Sequence, residues 1–78
     1  MRVRGQTDKL SKEFGIVIRR RRHKAGISQE IFAEKADIHR TYVSQIELGK
    51  VEIGLGVAKK IATALGVPLG SLIREAER

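Results

Sequence analysis

The segment 29–49 constrains this chain most, because it holds two short helical patterns separated by only three residues. Apolar residues share one side of each pattern: Phe32, Ala36, Val43 and Ile46. Ala33 is placed where the second helix would cross the first, and a larger side chain there would push the two axes apart. The segment therefore predicts two helices that cross closely around a tight turn, with Ile38 in the turn.

The opposite side of the second of these helices is polar. Its exposed positions are Arg40, Thr41, Ser44 and Gln45. These side chains supply hydrogen-bond donors and acceptors that suit base edges and phosphates in a major groove. The pattern is that of a helix-turn-helix, and it predicts a DNA-binding regulator in which these four residues contact bases.

Arg40 is the strongest candidate for base reading, because a guanidinium can donate two hydrogen bonds to O6 and N7 of guanine. The alternative is a phosphate contact. Thr41 fits a thymine methyl group or a phosphate, and Gln45 fits adenine or the DNA backbone. Tyr42 could pack across the helix pair or offer its hydroxyl to a phosphate, and the pattern slightly favours the phosphate.

Positive charge is concentrated in the first third of the chain. The net charge is +7, and the residues up to Lys24 carry nine Lys and Arg against Asp8 and Glu13, so the remainder balances. This asymmetry indicates a polyanionic partner. The alternative is that the run at 19–24 is only a solvated helix face. Beside a helix-turn-helix, phosphate contact is the preferred interpretation, and the expected residues are Arg19, Arg20, Arg21 and Lys24.

Composition narrows the class further. Seventy-eight residues form one small domain with a marginal core, so a dimer interface would help. The chain has no Cys and no apolar run near the length of a membrane span, which predicts a soluble cytoplasmic protein without a membrane contact. His23 and His39 lack partners at metal-ligand spacing, and no nucleophile motif or phosphate loop appears. No metal, cofactor or enzymatic activity is expected.

The periodicity divides the chain into a flexible basic arm over 1–9 and one all-α domain over 10–78. The expected helices run from Leu10 or Ser11 to Ala25, over about 29–36, over about 40–48, from Leu55 to Leu65, and from Leu69 to Glu77. Ser28 is expected to cap the second helix, and Gly26 to end the first. Asp37 occupies the tight turn, where a left-handed conformation is expected.

Three helices outside the two-helix segment carry apolar faces. The inward positions expected in the first helix are Leu10, Phe14, Val17, Ile18 and Ala25. Those expected in the fourth helix are Leu55, Ala58, Ile61, Ala62 and Leu65. The last helix places four apolar residues on one side, and they form either a dimer surface or the end of the core: Leu69, Leu72, Ile73 and Ala76.

From Phe14 to Ile73 the chain resembles the phage repressor and Cro type of helix-turn-helix domain, the Xre family. The resemblance rests on GISQEIFAEKADI at 26–38, RTYVSQIELGK at 40–50 and KIATALGV at 60–67. It implies a compact five-helix, lambda-repressor-like fold. RTYVS is also similar to the controller proteins of restriction-modification systems.

The resemblance also implies roles for single residues. Gln29 would contact a phosphate, and residues that open the third helix would read bases. Lys50, just after the third helix, is a further candidate for a phosphate contact. Arg22 lies on the core side of the first helix, where an unpaired charge is costly, so it should have an acidic partner unless it reaches solvent. The family implies that this partner is Glu47.

The chain departs from the family pattern in three places. Asp37 stands where the family usually has Gly in the turn, and Gly54 replaces the Ser that often caps the fourth helix. Val51 and Glu52 follow Gly49 in a loop that is often basic or contains Asn. Asp tolerates the left-handed conformation of such a turn better than most residues. The other two differences predict a weakly capped fourth helix and few phosphate contacts from that loop.

The preferred hypothesis is a sequence-specific transcriptional regulator that binds double-stranded DNA through the major groove. It would act as a homodimer on a palindromic operator. The alternative is an antitoxin or another protein-interaction module, in which the last helix binds a partner protein and DNA binding is secondary. A cationic membrane-surface peptide fits less well, because only the first helix approaches the required amphipathic pattern.

Overall fold

The computed structural model describes residues 8–78, which fold into five helices. They are α1 (Lys9–Ala25), α2 (Gln29–Ala36), α3 (Arg40–Glu47), α4 (Leu55–Leu65) and α5 (Leu69–Ala76). The part of the chain that is described contains no strand. Most of the expected basic arm, residues 1–7, lies outside the described residues. The last two residues of the expected arm form the start of α1: Asp8 is its N-terminal cap, and Lys9 is its first helical residue.

Local side-chain and backbone chemistry sets the helix ends. The Asp8 carboxylate accepts a hydrogen bond from the Ser11 amide at 2.8 Å, and the Ser28 hydroxyl accepts one from the Ile31 amide at 3.1 Å. The residue that ends α1, Gly26, is left-handed. No side chain caps α4 at Gly54, as its sequence predicted.

The turn between α2 and α3 is built on Asp37 in the left-handed region, with φ 55° and ψ 49°. It is the only non-glycine residue among 8–78 with a positive φ. In this conformation its amide donates to the Glu34 carbonyl at 3.2 Å, and the next amide, that of Ile38, donates to Ala33 at 3.0 Å. The left-handed turn was predicted, and it turns the chain within three residues.

All five helices contribute to one apolar core. Its fully buried large side chains are Phe32, Ile18, Ile61, Leu72 and Val43. Three residues expected to face inward do not: Leu55 is 78% exposed, Leu10 is 43% exposed, and Ala25 is also exposed. Leu10 and Leu55 lie in the first turns of α1 and α4, beside a groove that no other element of the described chain covers.

The last helix completes the core. Leu72 and Ala76 are buried within the single chain, so of the two alternatives given for the last helix they fit the completion of the core. α5 packs against α1 and α4, and these contacts take up the apolar side of α5. Leu69 and Ile73 are only partly buried, and Ile73 borders the groove beside Leu55.

Gly15, in the middle of α1, marks the closest approach between α1 and α3. A Cβ atom at this position would collide with the backbone carbonyl oxygen of Ile46 and come within 3.2 Å of that of Glu47. Glycine inside a helix is otherwise unfavourable. The missing side chain allows the end of α3 to lie directly on α1.

No single helix of residues 8–78 has the length and apolar character needed to cross a membrane. The pair α4 and α5, which is bent by 102°, meets these two criteria only when both helices are taken together. Their buried residues, among them Ile61, Ala62 and Leu72, pack in the core described above.

We predict that Gly15→Ala destabilises the fold by about 1–3 kcal/mol, because the added methyl group must displace the backbone of α3. Urea unfolding measures the change. Gly70→Ala is the matched control: Gly70 lies near the start of α5 with nothing within 4 Å of an added Cβ. Alanine there should stabilise by roughly 0.4–1 kcal/mol. Equal effects at the two positions would contradict the close approach.

Candidate nucleic-acid interface

The polar side of α3 lies on the surface of the domain. Arg40 and Thr41 are exposed, while Ser44 and Gln45 are partly exposed. The opposite side carries Val43 and Ile46 into the core. The structure therefore brings together the four residues expected to read bases, on one helix whose other side is fixed by packing.

His39 fixes the start of α3. Its backbone is extended, and its Nδ1 atom accepts a hydrogen bond from the Thr41 amide at 3.2 Å. This ring therefore acts as the N-terminal cap, in the place usually taken by Ser, Thr, Asp or Asn. Arg40 follows as the first helical residue, and it lies at the opposite end of α3 from Glu47.

The far end of α3 is held by a buried ion pair. Arg22 Nε donates to Glu47 Oε2 at 2.7 Å, and Arg22 Nη2 donates to Glu47 Oε1 at 3.0 Å. The side chains are only 9% and 2% exposed. Arg22 Nη1 also donates to the Ile27 carbonyl oxygen at 2.9 Å. The two residues implied by the family resemblance thus form a two-point contact that joins α1 to α3.

Gln29 and His23 extend this contact into a network. Gln29 Nε2 donates to Glu47 Oε1 at 3.0 Å, which connects the first residue of α2 to the last residue of α3. His23 Nε2 lies 3.1 Å from Arg22 Nη2. The network of Gln29, Glu47, Arg22 and His23 therefore links three helices at the surface where α2 begins.

Arg20 and Arg21, which were expected to contact phosphates, form ion pairs with Glu75 of α5. Arg20 Nη2 lies 2.8 Å from Glu75 Oε2, and Arg21 Nη2 lies 2.8 Å from Glu75 Oε1. Their hydrogen bonds, with that of Arg20 the stronger influence, hold the pKa of the Glu75 carboxyl below its ordinary value of 4.5. These ion pairs connect α1 to α5, two helices that pack against each other.

The other basic candidates are divided between two surfaces. Arg19 is exposed and lines a shallow depression with His23 beside Glu47. Lys24 instead lies with Arg21 near Leu65, at the end of α4. Arg19 therefore lies near the network, whereas Lys24 borders a different surface.

Two further phosphate candidates lie within α3 or just after it, namely Tyr42 and Lys50. Lys50 is exposed just after α3, and its amide donates to the Gln45 carbonyl at 3.0 Å. Tyr42 is partly buried and its side chain packs against the core. Of the two alternatives for Tyr42, the packing role is present in the structure.

Two residues that shape this surface were not foreseen. Gly15 had a signal, since glycine in the interior of a 17-residue helix usually marks a close contact. Glu75 had none, because it lies 54 and 55 residues from the arginines that it binds. Among residues 8–78, no group of three or more His, Asp or Glu is arranged to hold a metal ion.

Comparison with known proteins agrees with this geometry. The sequence model of the helix-turn-helix family matches residues 18–72. The control protein C.MunI of Mycoplasma sp is 41% identical over 58 residues, which cover 74% of this chain and 78% of that protein. The control protein C.BamHI of Bacillus amyloliquefaciens is 42% identical over 62 residues, which cover 78% and 76%.

A solved structure shows the same architecture. The restriction-modification controller protein C.AhdI from Aeromonas hydrophila superposes with a TM-score of 0.77 at 34% identity, covering 80% of this chain and 94% of that one. The chain belongs to the helix-turn-helix family of DNA-binding transcriptional regulators. The five-helix fold predicted from the sequence is confirmed.

We predict that Glu75→Gln lowers the free energy of unfolding near neutral pH, because the variant loses the charge that Arg20 and Arg21 bind. A carboxylate whose pKa is lower in the folded state than in the unfolded state stabilises the fold at pH values above its unfolded pKa. This contribution is lost as the pH falls through the pKa of the folded state. Urea unfolding across pH should show the wild-type advantage disappear well below pH 4.5.

Glu77→Gln is the control, because Glu77 is exposed and makes no ion pair among the described residues. It should show little change at any pH. A difference between wild type and Glu75→Gln that persists unchanged in acid would contradict the ion-pair explanation.

Proposed function

We propose that this protein binds a palindromic operator as a homodimer, with α3 of each subunit in successive major grooves about 34 Å apart. The observation that carries this proposal is the exposed polar side of α3, whose other side is fixed in the core. A rigid helix with exposed donors and acceptors can distinguish base pairs in the major groove.

Arg40 would read guanine, because it is exposed at the first position of α3 and makes no ion pair among residues 8–78. Thr41 is exposed beside it, and Gln45 and Ser44 follow one turn later. Because Arg40 and Thr41 open α3, they would contact bases at one end of the half-site. Each good bidentate contact discriminates by about 1–3 kcal/mol.

Phosphate contacts would come from residues that surround this helix. Gln29 opens α2, Arg19 lies beside the buried network, and Lys50 follows α3. Arg20 lines the same depression as Arg19 and its side chain is 59% exposed, so it is included although it pairs with Glu75. Arg21 is less exposed in its ion pair with Glu75 and is not included. Lys24 is not included either, since it borders α4. The positive field of the first third of the chain would still steer association.

The dimer surface would be the apolar groove beside α4. The groove encloses about 150 Å³ and is lined largely by apolar side chains, among them Leu10, Val51, Ile53, Leu55 and Ile73. Leu55 is the most exposed large apolar residue of the described chain. Because Ile46, at the end of α3, also lines the groove, a second copy seated there would set the spacing between the two reading helices.

A role as the controller of a restriction-modification system is supported by the relatives. Two control proteins share more than two fifths of their aligned residues with this chain, and a controller protein shares its fold. The matched segments include α3, so this chain would regulate transcription through the same helix-turn-helix segment. Selection of bound duplexes from a random pool would identify the operator and test this proposal directly.

We expect Arg40→Ala to reduce discrimination at one base pair of the selected operator by about 1–3 kcal/mol. The measurement is competition binding with operators changed at single positions. Arg74→Ala is the matched control, because it removes the same charge from an exposed position on α5. The control should keep the base preference. Arg40 would be a phosphate contact if its substitution weakened all duplexes equally.

We expect Leu55→Glu to shift the protein from dimer to monomer in analytical ultracentrifugation, because two carboxylates would be brought into an apolar interface. Folding should be retained, since Leu55 is largely exposed in the single chain. Ile31→Glu is the control: Ile31 is also half-exposed but lies on α2, away from the groove. An unchanged dimer in the Leu55→Glu variant would place the interface elsewhere.

A further inference from the structure

We infer that Glu47 is a positioning residue, which holds the side-chain amide of Gln29 in the orientation that donates to a DNA phosphate. The inference rests on the proposed function, since it assigns a cause to one of its phosphate contacts. The observation behind it is the hydrogen bond of 3.0 Å from Gln29 Nε2 to Glu47 Oε1.

The amide of Gln29 is only half used by the protein. A glutamine amide has two N–H donors, and Glu47 accepts one of them. Within residues 8–78 this amide makes no other hydrogen bond, and Gln29 is partly exposed. Since the two N–H groups are fixed in one plane, a bond from the first to Glu47 restricts the direction of the second.

Glu47 can hold this amide because its own position is fixed. Its carboxylate is only 2% exposed and accepts two hydrogen bonds from Arg22. Arg22 in turn is held by the carbonyl oxygen of Ile27. The orientation of Gln29 is therefore set by α1 and α3 together, and a flexible side chain is ordered before DNA arrives.

The charge of Glu47 allows a positioning role to be distinguished from a purely electrostatic effect on DNA binding. A carboxylate near a polyanion opposes binding, so its removal should strengthen DNA binding if the charge were its main influence. Arg22 neutralises that charge within the buried pair. A positioning role predicts the opposite sign, namely that loss of the carboxylate weakens DNA binding although the protein becomes more positive.

The test compares Glu47→Gln, Gln29→Ala and the combination of both on the selected operator. Glu47→Gln should weaken binding roughly tenfold, since a hydrogen bond to a charged group contributes about that factor. Gln29→Ala should weaken it equally, and the double variant should lose no more than either single variant. Glu30→Gln is the matched control. It removes the same charge next to Gln29, from an exposed position, and should bind as tightly as wild type or more tightly.

Two further readouts separate positioning from general damage. The salt dependence of binding should keep its slope in Gln29→Ala, because a neutral donor releases no counterion. In NMR spectra of the free protein, the side-chain amide of Gln29 should exchange with solvent more rapidly in Glu47→Gln. A simple loss of stability would affect all amides together.

Glu47→Gln leaves the buried guanidinium of Arg22 with a weaker partner, which can destabilise the fold. A second variant therefore controls for loss of folding. Arg22→Met combined with Glu47→Leu replaces the pair by apolar side chains of similar size and leaves the net charge unchanged. It should fold and should also bind roughly tenfold more weakly. In this background Gln29→Ala should cost nothing further.

The inference is overturned if Arg22→Met combined with Glu47→Leu, which removes every acceptor at position 47, binds as tightly as wild type, or if Gln29→Ala costs the same factor with and without the buried pair. The proposed function stands in either case, because wild type still selects its operator. If wild type prefers no duplex over random DNA, both are overturned.

Discussion

The buried pair of Arg22 and Glu47 is the interaction on which the functional surface depends. Taking two charges out of water is costly, and the cost is offset only where the remaining donors and acceptors are satisfied. Here every buried side-chain nitrogen and oxygen of the described chain has a partner. The pair joins the last turn of α1 to the last residue of α3.

Small residues determine how closely α3 is held. Gly15 allows α1 to touch the backbone at the end of α3, and Ala33 is buried where α2 meets α3. With both neighbours this close, α3 cannot rotate its polar side inward without separating a packed contact. The exposed position of Arg40 therefore follows from residues buried beneath α3.

Sequence periodicity was sufficient for the local structure and insufficient for the long-range contacts. The turn at Asp37 and the polar side of α3 follow from spacing and residue type. Leu55 and Leu72 show the limit, because an apolar pattern says which side of a helix is apolar but not which element covers it. The binding of Arg20 and Arg21 by Glu75 depends on how α5 docks on α1, which no local pattern encodes.

α2 and α3 contain only eight residues each. Helices shorter than about 12–15 residues are marginal in water when isolated. A peptide cut from this segment would be mostly unfolded, and its side chains would have no common orientation. Transferring the polar side of α3 to another scaffold in the same orientation would therefore require the arginine, the glutamate and the glycine that hold this segment, in addition to the residues proposed to contact bases.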